Sequence, residues 1–271
     1  MTVHPSLEPY ADAWTHSIEA ITELVLPLAE SEWNRATPCP GWSVRDIVSH
    51  IIGIECEQLG DPRPIHTLPR DLRHVVDEFT RYMEVQVDVR RHHTAPEMTS
   101  ELEYTVIRRA RQLRSEKRDP ATLVRGPLGE QVPLEHALRL RAFDVWIHEQ
   151  DLRAALGVPG NWDSPGAYVA RDLLLAGLPK AVAKGAGAPP NSAVVLDVHG
   201  QLEFMRTVRV DATGRATLDK SPSLGPAVTL TMDWACVHGR SGAHSRPAAH
   251  RCARAMRYGR RTAASPPGSG T

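Results

Sequence analysis

The chain has 271 residues and a mass of 29.9 kDa, with 32 Lys+Arg against 32 Asp+Glu and a formal net charge of zero. That length suits one or two domains with a sizeable core, and 41% hydrophobic with 24% charged residues excludes a fibrous or wholly disordered chain. The zero is a sum of unlike parts: residues 236–271 hold seven Arg and no acid, so the remaining 25 basic residues face all 32 acids and the body carries −7.

The opening Met1-Thr2-Val3-His4-Pro5 has no basic region followed by an apolar run, so no signal peptide is expected. No stretch approaches the roughly 18 apolar residues of a membrane helix, so no membrane partner is expected. The four cysteines (39, 56, 236, 252) form no CxxC pair, which argues against a cysteine zinc site and leaves the cytoplasm as the expected compartment. Cys39, between Pro38 and Pro40, is either a reactive thiol or a small turn residue.

Taken in chain order, residues 8–30 form a first helix with Trp14, Ile18, Ile21, Val25 and Leu28 on one face. Trp33 to Trp42 is a loop, broken by Pro38, Pro40 and Gly41. Ser43 caps a second helix, with Asp46 in its first turn, that presents Val44, Ile47, Val48, Ile51 and Ile52 and runs to about Gly60. A third helix is expected over 71–91, with Val75, Val76, Phe79, Met83 and Val87 inward, and a fourth over about 97–117. Pro120 to Pro133 reads as irregular, and Leu134 to Leu156 as the strongest helix, stopped by Gly157 and Pro159. Another helix spans Ser164 to Lys184, and 185–190 is a linker. Residues 194–198, 204–210 and 227–232 look like strands, with a hairpin turn at 212–215. The expected domains are a helical bundle (1–160), a small α/β domain (161–235) and a basic, irregular tail (236–271).

Chemistry concentrates in the long helix. Arg141, Asp144, His148 and Asp151 recur at steps of three, four and three, forming one polar track on an otherwise apolar element. Buried carboxylates and imidazoles are costly unless paired or bound to metal. Asp144 and His148, one turn apart, can face a single ion, and His50 supplies a third donor if its helix packs alongside. The spacing also suits a plain helix-stabilising pair, and His50 alone suits a satisfied core histidine. His92 and His93, in a run with Arg90 and Arg91, read as a solvated face; His66 reads as loop surface, and His74 with Glu78 as an exposed pair. Nucleophile-elbow, phosphate-loop and dinucleotide glycine patterns are absent.

Two stretches carry a resemblance. Thr37-Pro-Cys-Pro-Gly-Trp42-Ser-Val-Arg-Asp46-Ile-Val-Ser-His50 and Arg141-Ala-Phe-Asp144-Val-Trp-Ile-His148-Glu-Gln-Asp151-Leu-Arg153 closely resemble the two signatures of the mycothiol-dependent maleylpyruvate isomerase family, within the DinB-like metalloenzymes of actinobacteria. The resemblance covers about residues 10–235. It implies an α+β chain: an N-terminal DinB-like four-helix bundle and a smaller C-terminal α/β domain of sterol-carrier-like shape. It implies a divalent metal, usually zinc, held by His50, Asp144 and His148; Asp144 stands where the isomerases often carry Glu, one methylene longer. Asp151 and Arg141 become candidates for the catalytic machinery, as supports orienting the ligands, or else a structural ion pair. Trp42 and Trp146 are expected to pack the bundle. Mycothiol is the implied cofactor and a small electrophile the implied substrate. The implied activity is isomerisation or S-transfer by a metal-activated thiolate, and the implied state a monomer. A non-catalytic ligand-binding or regulatory module on the same fold is the competing function.

The tail departs from that pattern. Gly239-Arg240 matches a family pair that anchors the cofactor, which makes Arg240 a cofactor-binding candidate. Beyond it three readings stand: a basic extension that binds nucleic acid or anionic surfaces, a frame-shifted version of the usual ending, or a variant ending that folds. Nucleic-acid binding is expected nowhere else in the chain.

Overall fold

The computed structural model describes residues 3–126, 129–221 and 225–235. The described residues divide into two compact units, residues 3–171 and residues 172–235. The expectations for 236–271, including Arg240, lie outside the described residues.

The first unit is helical: α1 (Glu8–Val25), the single turn α2 (Glu30–Trp33), α3 (Val44–Gln58), α4 (Glu78–Asp88), α5 (Ala95–Arg114) and α6 (Leu134–Leu156). Helices α1, α3, α5 and α6 pack on one another and α4 lies against α3. The core joins Trp14, Ile18 and Ile21 of α1 to Ile47 and Ile51 of α3, Met98 and Leu102 of α5, and Val145 and Leu152 of α6. Full burial of each such side chain contributes about 1.5–3 kcal/mol.

Local chemistry sets the boundaries. Ser43 and Asp46 cap α3 reciprocally: Ser43 N donates to Asp46 Oδ2 at 2.8 Å and Asp46 N to Ser43 Oγ at 3.3 Å. Gly157, at φ +72°, closes α6 in the left-handed conformation that glycine adopts without strain. Two expected helices are shorter than the periodicity suggests. α1 stops at Val25 because Pro27 cannot continue the hydrogen-bond ladder, so Leu28 is not helical. α4 begins at Glu78 rather than residue 71, because Asp77 caps it by accepting from Thr80 N at 2.8 Å. Val76 and Phe79 face solvent, against expectation. The stretch read as irregular holds a short antiparallel hairpin, β1 (Leu123–Arg125) and β2 (Gln131–Pro133), too short to leave an alternating pattern.

Gly53 of α3 meets Gln86 of α4: a Cβ there would stand 2.4 Å from Gln86 Cβ. Gly53→Ala is therefore expected to lower stability by about 1–3 kcal/mol through overpacking, despite alanine's better helix propensity. A denaturant midpoint at or above that of the wild type would contradict this close approach.

Helix α7 (Pro165–Lys180) spans the division between the units and ends in one π-helical turn, Ala181–Gly185. The second unit carries β3 (Ser192–His199), β4 (Phe204–Val210), β5 (Ala216–Asp219) and β6 (Val228–Asp233) in the order β5-β4-β3-β6. β3 is antiparallel to β4 (Val194 opposite Val208) and parallel to β6 (Val194 beside Val228). The expected turn joins β4 to β5: Asp211 Oδ1 accepts from Thr213 N at 2.8 Å and Arg215 N at 3.0 Å. Val195, Leu196, Val198, Val208, Leu230 and Trp234 are buried in this unit. The chain is thus α+β, a helical N-terminal part followed by a sheet domain. No described helix is long and apolar enough to cross a membrane.

Candidate metal centre

Three segments of the helical unit build the centre. The turn Thr37–Trp42 is tied by its own polar groups: Thr37 Oγ1 donates to Trp42 O at 2.8 Å and accepts from Cys39 N at 3.2 Å. Gly41, at φ +80°, reverses the chain, and the His74 ring lies where a Cβ would stand. This turn delivers Cys39 and Trp42 to the interior, where they are 1% and 3% exposed. The capped helix that follows brings His50, and α6 brings Arg141, Asp144, His148 and Asp151 on its polar track.

His50 Nε2 lies 3.2 Å from Asp144 Oδ2, and His148 Nε2 3.6 Å from Asp144 Oδ1. One ligating atom from each of His50, Asp144 and His148 lies within 4.8 Å of the others. Both histidines are buried and the Asp144 side chain keeps 29% exposure, so the cluster meets solvent on the Asp144 side. The rings of His50 and His148 sit edge to face at 4.9 Å, with Trp42 5.2 Å from His50.

The supports are charged as well. Arg141 donates to Asp144 Oδ2, to Glu55 Oε1 at 2.7 Å and to Ile51 O at 3.3 Å. Asp151 Oδ2 lies 3.2 Å from His148 Nδ1 and accepts from Cys39 Sγ at 3.1 Å. Cys39 is therefore more than a small turn residue: its thiol is bonded inside the site. Glu84 of α4 holds Trp42 in place, accepting from its Nε1 at 2.9 Å.

These surroundings separate the titrations of the cluster. Burial pushes the His50 imidazole down to about 4, against the opposing pull of Asp144. Burial acts the same way on His148, but Asp144 and Asp151 outweigh it and raise that imidazole. Burial would raise the Asp144 carboxyl, yet His148, His50 and Arg141 hold it well below the usual carboxylate range. Near neutral pH the cluster thus offers a neutral imidazole and an ionised carboxylate beside a protonated imidazole, and a bound cation would displace that last proton. Two imidazoles and one carboxylate suit a divalent ion such as zinc with a position left for an exchangeable ligand. The residues present therefore fit a metal.

One outlying expectation is corrected. His74 pairs with Glu84 Oε2 at 2.8 Å, not with Glu78, because the chain before Asp77 is not helical and i,i+4 spacing has no meaning there. His92 is exposed, as expected, and His93 partly so; of their neighbours, Arg90 is buried and bonded to Glu101 at 2.8 Å, and the partly exposed Arg91 is bonded to Asp46 at 3.2 Å and to Glu84. His66 is exposed, as expected of a loop residue, and is bonded to Asp88 at 2.6 Å. Glu55 and Glu84 escaped the sequence reading. Each stands among apolar residues of a helix, and that isolation is the one signal that marks a buried, paired carboxylate.

A family model described as the mycothiol maleylpyruvate isomerase N-terminal domain matches residues 14–153. The crystal structure of a mycothiol-dependent maleylpyruvate isomerase superposes with a TM-score of 0.52 at 17% identity, over 91% of this chain and 95% of that one. The structure of a histidine-to-alanine mutant of a mycothiol-dependent maleylpyruvate isomerase gives a TM-score of 0.54 at 16% identity, over 90% and 93%. At these identities the likeness is one of fold. No curated protein sequence matches the chain.

Proposed function

Because the chain belongs to the mycothiol maleylpyruvate isomerase N-terminal domain family, we propose that it is a metal-dependent enzyme with mycothiol as thiol cofactor, an isomerase or S-transferase acting on a small electrophile. The observation that carries this reading is the meeting of His50, Asp144 and His148, from two helices, within 4.8 Å. A divalent ion, with zinc as the proposed one, would supply a Lewis acid able to keep a thiol deprotonated near neutral pH.

The protein's own groups have separable roles in this reading. His50, neutral because it is buried, needs to lose no proton to act as a ligand. Arg141 fixes one oxygen of Asp144 and limits the carboxylate's rotation. Asp151 accepts a hydrogen bond from the Nδ1–H of His148 and so leaves the lone pair on Nε2, turned toward Asp144 and His50. Trp42, itself buried, packs beside both rings, 5.2 Å from His50 and 6.2 Å from His148. Substrate and cofactor reach the cluster past Asp144, and Arg240 is proposed to hold the cofactor's anionic part. The proposal places a monomer in the cytoplasm.

Elemental analysis of metal-replete protein, run beside mycothiol consumption against a panel of electrophiles, tests this. About one zinc per chain and loss of free mycothiol with at least one electrophile are expected. Metal-replete protein that carries no divalent ion would refute the metal. Zinc without any mycothiol conversion across the panel would point to a ligand-binding or regulatory module instead.

A further inference from the structure

Cys39 has no part in the functional reading above, yet it is built into the centre. Cys39, His148 and Asp151 are 1%, 0% and 0% exposed, and their polar atoms form a second group within 4.8 Å that shares His148 with the first. A single carboxylate oxygen, Asp151 Oδ2, joins them: Cys39 Sγ donates to it at 3.1 Å and His148 Nδ1 lies 3.2 Å away. Cys39 is itself fixed by the Thr37–Trp42 turn, whose backbone is closed by Trp42 N donating to Cys39 O at 3.1 Å.

An aspartate orients a histidine ligand only as well as the aspartate is itself oriented. A donor that reaches a carboxylate oxygen from a different segment restrains rotation about the Cβ–Cγ bond. The Cys39 thiol supplies that donor from the Thr37–Trp42 turn, whereas His148 and Asp151 belong to one helix and share its motions. We propose that Cys39 is a positioning residue: its S–H locks Asp151, and Asp151 in turn sets the tautomer and ring orientation of His148 for metal binding. The inference rests on the metal reading of His50, Asp144 and His148. It assigns the thiol neither metal ligation nor nucleophilic attack.

The test is zinc affinity of the full-length protein by competition with a chromogenic chelator, for wild type, Cys39→Ser and Cys39→Val. Serine keeps a donor in a smaller volume; valine fills the space and has no donor. The expected result is near-wild-type affinity for Cys39→Ser and a loss of about 10- to 100-fold for Cys39→Val, the range typical of outer-shell changes. Equal affinities for the two variants, whether both strong or both weak, would overturn the proposal, since packing alone would then decide the outcome. If Cys39→Val does not fold, Cys39→Ala makes the same comparison. Nitrogen-15 spectra of the zinc-loaded wild type and Cys39→Ser should place the His148 proton on Nδ1; a proton on Nε2 would also overturn it. A wild-type protein that takes up no zinc defeats the metal reading itself, an outcome distinct from any difference among the variants.

Discussion

Replacing Glu55 with alanine is expected to lower the stability of the helical unit by about 3–5 kcal/mol, the usual cost of removing one partner from a buried ionic group. Glu55 is fully buried at the junction of four helices. Its Oε1 accepts from Trp14 Nε1 of α1 at 2.6 Å and from Arg141 Nε of α6 at 2.7 Å, and its Oε2 from Arg109 Nε of α5 at 3.0 Å. Both guanidinium groups are less than 8% exposed and would be left without their shared counter-charge. Against a typical domain stability of about 5–15 kcal/mol the loss is severe, and it should appear as a large drop in the urea midpoint at pH 7. Glu55→Gln keeps the volume but not the charge and should fall between the two. The group also sets an acid limit. Burial would raise the Glu55 carboxyl, but Arg141 and Arg109 outweigh it and hold it below its ordinary value. Its contribution is therefore fully present above the unfolded carboxyl range of about 4.3 and disappears as pH falls through the lower native value. In that window the midpoint of the wild type should fall more steeply than that of Glu55→Gln. Parallel pH profiles would show that Glu55 is not the group responsible.

Glu55 also shows where the sequence was legible and where it was not. The long helix Leu134–Leu156 was readable end to end, because apolar spacing, a polar track and a terminal Gly157 all agree. The capped start at Ser43 was readable for the same reason: serine's oxygen serves the turn and nothing distant is needed. The 71–91 expectation failed where local and periodic signals disagree. Val75, Val76 and Phe79 fit helical spacing, but Asp77 and Thr80 form a cap between them, and the helix starts at that cap. The hairpin Leu123–Pro133 was hidden because three-residue strands carry too little alternation to register.

The centre divides in the same manner. Arg141, Asp144, His148 and Asp151 lie on one helix, so their shared face follows from α-helical geometry. That His50 joins them depends on the packing of α3 against α6, which no spacing rule supplies; there the family signature carried the expectation. Glu55, Glu84 and Cys39 touch the centre through contacts between residues 41 to 112 positions apart, as in Trp14 with Glu55 and Cys39 with Asp151. A one-dimensional reading sees only a polar residue in an apolar run, and its partner is supplied by the fold. One consequence is that Arg141 belongs to two groups at once, joining the structural cluster at Glu55 to the proposed ligand Asp144. Loss of Glu55 should therefore loosen Asp144 as well as the bundle.

His148→Ala is expected to lower zinc affinity by more than about a hundredfold, beyond the range of outer-shell changes, because it removes a ligand rather than its support. The same substitution costs the metal-free protein more than a simple cavity would. His148 carries the proton that balances Asp144 and Asp151, so its loss leaves two buried or half-buried carboxylates facing each other across the vacated space. The variant should therefore be less stable than wild type without metal and should gain nothing when zinc is added. For wild type, zinc at a hundred times its dissociation constant should add about 2.7 kcal/mol, seen as a rise in melting temperature over the chelator-treated protein. His50→Ala separates the two effects. Its imidazole is neutral, with burial holding it down to about 4, so its removal should abolish the zinc-dependent rise while costing less in the metal-free state than His148→Ala. If either variant kept the wild-type rise with zinc, the ion would have to bind elsewhere, and the convergence of these three side chains would be a structural ion-pair cluster.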